Sequence, residues 1–247
     1  MTHARSIDRI LAVGAALVCH TAFLAAVSSM ALALASGMQL GLGPFRGTAA
    51  LVANLLLVLQ FPLLHSWLLA RGGHRWLQQL APGPRGKKLH ITVYVTLASL
   101  QLLLTFWAWS PTGTVWYQAG GSSGWLHWSL FAAAWLFLLK ALADAGLAVQ
   151  TGAAGWLALW RGRSVDYGGM PTAGLFRSCR QPIYLGFALI LWTAPTWTPD
   201  QLLLVGGWSL YCAIGPLHKE LRWRMRYGER FAAYRAAVPY MIPRWKR

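Results

Sequence analysis

Acidic side chains are what this chain most lacks. Among 247 residues only six are Asp or Glu, and charged residues of both signs amount to 11%, where soluble domains carry about 25%. With a mean hydropathy of +0.43, that excludes a sizeable water-soluble domain. It also excludes intrinsic disorder, which needs low hydrophobicity. The cysteines are few: Cys19, Cys179 and Cys212 stand at unrelated spacings, giving neither a disulfide framework nor a zinc site. The histidines show no His-x-x-x-His or His-x-x-Glu-His spacing, so no metal site is expected. A haem ligand among His20, His65 and His90 stays open beside the alternative of histidines satisfied by packing. There is no Walker loop and no dinucleotide-binding glycine fingerprint; Gly120–Gly121 needs only turn chemistry.

What is present is apolar sequence. Runs long enough to cross a bilayer, about 20 residues, occupy Ile10–Ser36, Ala49–Ala70, Leu89–Trp109 and Leu126–Gln150. A fifth follows Pro182 and ends near Thr198, and a sixth covers Gln201–Leu217; a tight turn from Pro195 to Asp200 joins them as a helical hairpin. The expected fold is an all-α polytopic membrane protein. It has about six transmembrane helices, the last two a short hairpin, and a C-terminal cytoplasmic amphipathic helix. All of residues 1–247 form a single integral-membrane domain in this reading.

The net charge of +16 is placed by topology. Lys and Arg fill the N-terminal segment, the connections 71–88 and 151–181, and the tail from His218, whereas the alternate connections hold only Arg46. By the positive-inside rule both termini are cytoplasmic. The basic surface then faces anionic lipid headgroups and argues against a nucleic-acid partner. Arg5, Arg9 and the following apolar run also resemble a signal peptide, but the run is about twice the usual 7–15 residues, so a retained first helix is expected. Trp107, Trp109, Trp116, Trp125, Trp128, Trp192 and Trp197 cluster at the outer span ends, as an interfacial belt does.

Polar groups inside the spans are few. Lys140 and Asp144 lie four residues apart and meet on one helical face; a helix-packing pair and a functional pair are both open readings. The C-terminal third is richer. Residues 171–186 place Arg177, Arg180, Gln181 and Tyr184 at the cytoplasmic mouth of the hairpin, with Pro182 suited to a first helical position. Free backbone amides there favour an anion. Beyond the hairpin, Lys219, Arg222, Arg226 and Arg230 form one helical stripe that reads as headgroup-facing. Glu220, Arg224, Tyr227, Phe231 and Tyr234 form a second stripe that faces the protein. Such a carboxylate and aromatic face suits a ligand with an amino group or a sulfonium. From these residues alone, an interfacial helix held by an Arg–Glu pair is the favoured reading.

These residues resemble the C-terminal signature of the isoprenylcysteine carboxyl methyltransferase superfamily. Its pattern is Arg-His-Pro-x-Tyr-x-Gly, a helical hairpin, Glu-Glu, Gly-x-x-(Tyr or Phe)-x-x-Tyr and a Val-Pro…Pro ending. Here Arg180, Pro182, Tyr184 and Gly186 match, then Glu220, Gly228, Phe231, Tyr234, Val238, Pro239 and Pro243. Within the superfamily the chain looks closest to the NnrU-like and methanethiol S-methyltransferase branch. It shares His65-Ser66 with Leu69-Ala70-Arg71, the stretch from Tyr94-Val95 to Phe106-Trp107-x-Trp109-x-Pro111, and Trp160-Arg161-Gly162-Arg163.

The resemblance implies S-adenosylmethionine as methyl donor, bound by a cofactor-binding part over residues 171–247. It assigns Leu175, Gln181, Pro182, Tyr184, Leu185, Glu220, Arg224 and Tyr234 to the donor. Arg180, Glu220 and His65 are the candidate catalytic residues, His65 on the acceptor side, and Arg224 is a candidate partner for Glu220. The acceptor is expected to be small and hydrophobic or membrane-soluble, a thiol first of all, and the location a bacterial inner membrane. The connection Ala145 to Gly155 is small and apolar where the thiol methyltransferases carry a more polar, aromatic run, and two further departures fall on the motif: Gln181 replaces the family's His, and Lys219 replaces the first Glu. They support the competing expectation, a non-enzymatic NnrU-like accessory protein of a redox or nitrogen-oxide pathway. A transporter finds only Asn54, Gln60, Gln101, Lys140 and Asp144 to line a path.

Overall fold

The computed structural model describes residues 2–81 and 83–243, the side chains of residues 2–4, 122 and 123 excepted. Arg244, Lys246 and Arg247 of the basic tail therefore lie outside the described residues. The helices in chain order are α1 (Thr2–Ala35), α2 (Gly47–Leu68), α3 (Arg71–Gln79), α4 (Pro84–Trp107), α5 (Gly121–Asp144), α6 (Leu147–Gln150), α7 (Ala153–Arg161), α8 (Pro182–Trp192), α9 (Pro199–Tyr227) and α10 (Glu229–Ala237). A 3₁₀ turn spans Gly174–Arg177, and two short strands, β1 (Tyr117–Gln118) and β2 (Thr196–Trp197), are also present. Helices α1, α2, α4 and α5 each hold a stretch long and apolar enough to cross a bilayer. Exposed Leu17, Leu24, Leu56, Leu63, Leu100 and Leu136 on these helices give lipid-facing surface. The protein is an all-α polytopic membrane protein.

The chain divides into two compact units. The first takes in residues up to 33, Leu40–Ser110 and Gly146–Tyr167. Short α7 packs on α4, where the Thr92 hydroxyl donates to the Gly152 carbonyl at 2.7 Å and accepts from the Trp156 amide at 3.1 Å. Polar side chains then lace α2 to α4. Asn54 exchanges two hydrogen bonds of 2.9 Å with the Ser110 backbone. Gln60 donates to the Gln101 carbonyl and to Thr105. In an apolar medium such groups must be satisfied internally, so the spacing of polar residues along these spans records helix pairing. Trp109 is fully buried, its carbonyl accepting from the Gly43 amide at 2.8 Å. It is thus a core residue and not part of the interfacial belt expected from its position.

The second unit takes in Leu34–Gln39, Pro111–Ala145 and the residues from Gly168. Here α5 packs on α8 and α8 on α9. Gly186 permits the first approach, since a Cβ there would stand 3.1 Å from Leu138 Cα. The expected fifth span ends as helix at Trp192. Beyond a turn, Thr196–Trp197 form β2, which pairs antiparallel with β1 in the register Tyr117↔Trp197 and Gln118↔Thr196. Thr198 then caps α9 by accepting from the Gln201 amide at 2.9 Å, with Pro199 at the first helical position. Buried Asp200 accepts from Gln39 at 3.0 Å and from the Thr112 amide and hydroxyl at 2.9 and 2.6 Å; it is a structural anchor, not the solvated turn residue its position suggests.

Two elements read separately from the sequence are one. The sixth span and the start of the amphipathic helix form the continuous 29-residue α9, which runs through Pro216. The break comes at Gly228, whose φ of 50° lies in the left-handed region that glycine tolerates and other residues resist.

Candidate functional site

The site gathers where α8 begins, inside the second unit. The approach is fixed first. Gly174 has a φ of 58° and no room for a Cβ, because the Asp144 carboxylate occupies that space. Asp144 accepts the Leu175 amide at 2.8 Å and also takes the Lys140 ammonium. The Lys140–Asp144 pair therefore anchors the 3₁₀ turn to α5. The turn is held from its other side by Tyr234 on α10, whose hydroxyl donates to the Phe176 carbonyl at 2.7 Å. Met170, Phe231 and Tyr234 form a buried cluster there, with Trp223, Tyr227 and Val238 against it. The aromatic stripe read from the sequence thus faces the protein.

From this turn the chain delivers Arg180, Gln181 and Pro182 to the head of α8, and all three are buried. Arg180 donates from Nε to Glu220 Oε1 at 2.8 Å and from Nη2 to Oε2 at 3.5 Å. Its Nη1 donates to the Val238 carbonyl at 2.5 Å and the Arg235 carbonyl at 3.1 Å. Its own amide donates to the Pro239 carbonyl at 2.9 Å, and its guanidinium lies 5.5 Å from the centre of the Tyr240 ring. A buried charge is tolerable only when paired in this way. The partner of Glu220 is thus Arg180; Arg224 is exposed and lines a groove with Phe231 and Arg235 at the α9–α10 junction.

Gln181 donates from Nε2 to Glu220 Oε1 at 2.8 Å. Its Oε1 is buried without a hydrogen-bond partner in the protein, and the residue is fully buried. An unsatisfied buried oxygen costs about 1–3 kcal/mol, so this acceptor is open to a donor from elsewhere. No side chain caps the start of α8, which leaves the positive end of that helix beside it.

One turn along α8, half-buried Tyr184 faces Lys219. The Lys219 ammonium lies 5.5 Å from the Tyr184 ring centre and 4.7 Å from that of Trp223, both within cation–π range. Lys219 therefore belongs to the site, not to the headgroup-facing stripe. It lies beyond the apolar stretch that ends at Leu217, and burial lowers its pKa to about 8, with Arg222 and Arg180 acting in the same direction and Glu220 opposing them. Burial also raises the Cys179 thiol, the Tyr234 phenol and the Tyr240 phenol above their ordinary values.

The structure thus brings Arg180, Gln181, Pro182, Tyr184 and Glu220 to one place. Leu175 and Leu185 are half-buried on the adjoining turn and first turn of α8. His65 belongs to the first unit, where its Nε2 lies 2.7 Å from the Tyr94 hydroxyl. His20 and His90 are likewise engaged there, His20 by the Trp156 indole and His90 by the Tyr167 hydroxyl. Sequence reasoning left out Lys219 and Trp223 as site members. Their i, i+4 spacing was the available signal, pointing one ammonium and one indole in the same direction.

No family model and no solved structure matches the chain. Among characterised proteins it is 30% identical over 198 residues to methanethiol S-methyltransferase 2 of Bradyrhizobium diazoefficiens, covering 79% of this chain and 74% of that one. It is 28% identical to the methanethiol S-methyltransferase of Mycobacterium tuberculosis, over 78% of each chain. A shorter match, 30% identical, joins 50% of the chain to 46% of Nurim from Xenopus laevis. These relatives implicate a methyl donor and do not favour the accessory-protein reading. With a bilayer-spanning architecture and a buried cluster at the motif positions, the chain belongs to the methanethiol S-methyltransferase family of membrane enzymes.

Proposed function

We propose that this protein transfers a methyl group from S-adenosylmethionine to a small membrane-soluble thiol, with methanethiol the first acceptor to test. The observation that carries the reading is the open Gln181 Oε1 beside Glu220, a pair of acceptors suited to the donor's ammonium group. The uncapped start of α8, opened by Pro182, suits its carboxylate. The rings of Tyr184 and Trp223 already hold one cation, Lys219, and a sulfonium suits the same faces. When bound, such a donor supplies an electrophilic methyl carbon.

The chain's own residues then align and enclose. Leu175 and Leu185 line the apolar side, Tyr234 fixes the 3₁₀ turn, and Arg180 holds Glu220 in register. Arg224 stands at the rim. Residues 171–247 are in this reading the donor-binding part of a single integral-membrane domain. The membrane is a bacterial inner membrane with both termini cytoplasmic, and its anionic headgroups meet Arg222, Arg226 and Arg230. A thiol's ordinary pKa of about 8.5 asks for no carboxylate as base, and an enzyme poor in carboxylates suffices.

Calorimetric titration of the detergent-purified protein with S-adenosylmethionine tests this. Saturable binding is expected, weakened at least about tenfold by Glu220→Ala and by Gln181→Ala, as loss of a charged or buried hydrogen bond predicts. Absence of binding to a folded protein overturns the reading.

A further inference from the structure

Lys219 lies in the site but makes none of the proposed donor contacts. It is not an outward-facing cation: its side chain turns in between Tyr184 of α8 and Trp223 of its own helix. Among the described residues no carboxylate stands within ion-pair distance of its Nζ. The adjacent Glu220 is committed to Arg180 and Gln181. The charged and titratable groups that face it are Glu220, which favours the ammonium, Arg222 and Arg180, which oppose it, and the Cys179 thiol. The Tyr184 phenol, whose ring it covers, completes the set.

This inference rests on the donor reading above. Two cations compete for one pair of ring faces. A donor sulfonium placed against Tyr184 and Trp223 adds a like charge to a group already pressed toward its neutral form, and like charge disfavours ionisation further. Donor binding thus drives the proton off Lys219 and leaves an amine lone pair beside the reacting centre. An amine titrating near 8 is well matched to a thiol with an ordinary pKa of about 8.5, the condition under which general-base help is most effective.

We propose that Lys219 is the catalytic base of this enzyme, its neutral amine taking the proton of the acceptor thiol in the space bounded by Tyr184 and Trp223. The S–H bond breaks, its proton joining the Lys219 nitrogen and its electron pair staying on the thiolate sulfur. That pair forms the new S–CH₃ bond as the methyl–sulfonium bond breaks, and the departing pair leaves the donor sulfur a neutral thioether. The proton on Lys219 passes to solvent when the products leave. Nothing is oxidised or reduced.

Two measurements on the full chain test this. Calorimetric titrations with S-adenosylmethionine at pH 7, in buffers of different ionisation enthalpy, are expected to report release of about one proton per site. S-adenosylhomocysteine, a neutral thioether, is expected to release close to none, and Lys219→Met to abolish the release. Methyl transfer is then compared between an alkanethiol, protonated at neutral pH, and an arenethiol, already ionised. Lys219→Met and Lys219→Arg, the latter keeping a charge that cannot be lost, are expected to slow the alkanethiol about 100-fold and the arenethiol only a few-fold. Retained S-adenosylhomocysteine binding by either variant shows that its site is folded. Failure of the unsubstituted protein to bind S-adenosylmethionine overturns the donor reading itself. Binding without proton release, or equal slowing of both thiols, overturns the role of Lys219 and leaves the donor reading standing.

Discussion

Replacing Arg180 by Met strands the Glu220 carboxylate in a buried setting and releases the carbonyls of Arg235 and Val238. Breaking a buried pair from one side costs about 3–5 kcal/mol, whereas replacing both partners by apolar residues is often near neutral. Arg180→Met should therefore lower the unfolding midpoint sharply in detergent, and adding Glu220→Leu should recover much of the loss without restoring donor binding. A small effect of the single substitution would show that Glu220 finds another partner. Arg180, Gln181 and Glu220 were all legible in the sequence, because motif positions and helical spacing mark them. The direction of Lys219 was not. A lysine on a basic stripe is ordinarily solvated, and only the presence of two rings, one on another helix, turns this one inward.

At the scale of elements, the apolar runs marked α1, α2, α4 and α5 because nothing else in a chain of this composition can be so long and uncharged. The continuity of α9 was hidden. The apolar run ending at Leu217 and the onset of charge at Lys219 read as a boundary, yet one helix runs through both, with α8 packed against part of it. The true break is at Gly228, where a φ of 50° turns the chain so that Phe231 and Tyr234 return to the buried cluster with Met170. A side chain held at such a position costs about 1–3 kcal/mol. Gly228→Val should therefore loosen α10, measured as faster proteolysis within residues 229–237 and a lower melting temperature. Unchanged protection of α10 would mean that the turn is not needed to dock it. Short α7 escaped notice for a different reason: nine residues are too few to span a bilayer, and its polar ties to Thr92 are to backbone groups that no side-chain pattern reveals.

For the molecule as a whole, charge placement predicts that both termini are cytoplasmic. A fluorescent protein fused to the C-terminus is expected to mature in the bacterial cytoplasm, and alkaline phosphatase inserted near residue 113 to be active in the periplasm; the reverse result would invert the assignment. The tail that reaches back to the site has a further property. Arg180 meets it through three main-chain carbonyls, those of Arg235, Val238 and Pro239, and a carbonyl is the same whichever side chain accompanies it. The lock is thus blind to the side chain at position 235, whereas Val238 also packs on the buried cluster and Pro239 belongs to the motif. A saturation substitution scan should find Arg180 intolerant while position 235 accepts nearly any residue. Sequence drift can run freely at position 235, so relatives can differ there and still close the same site.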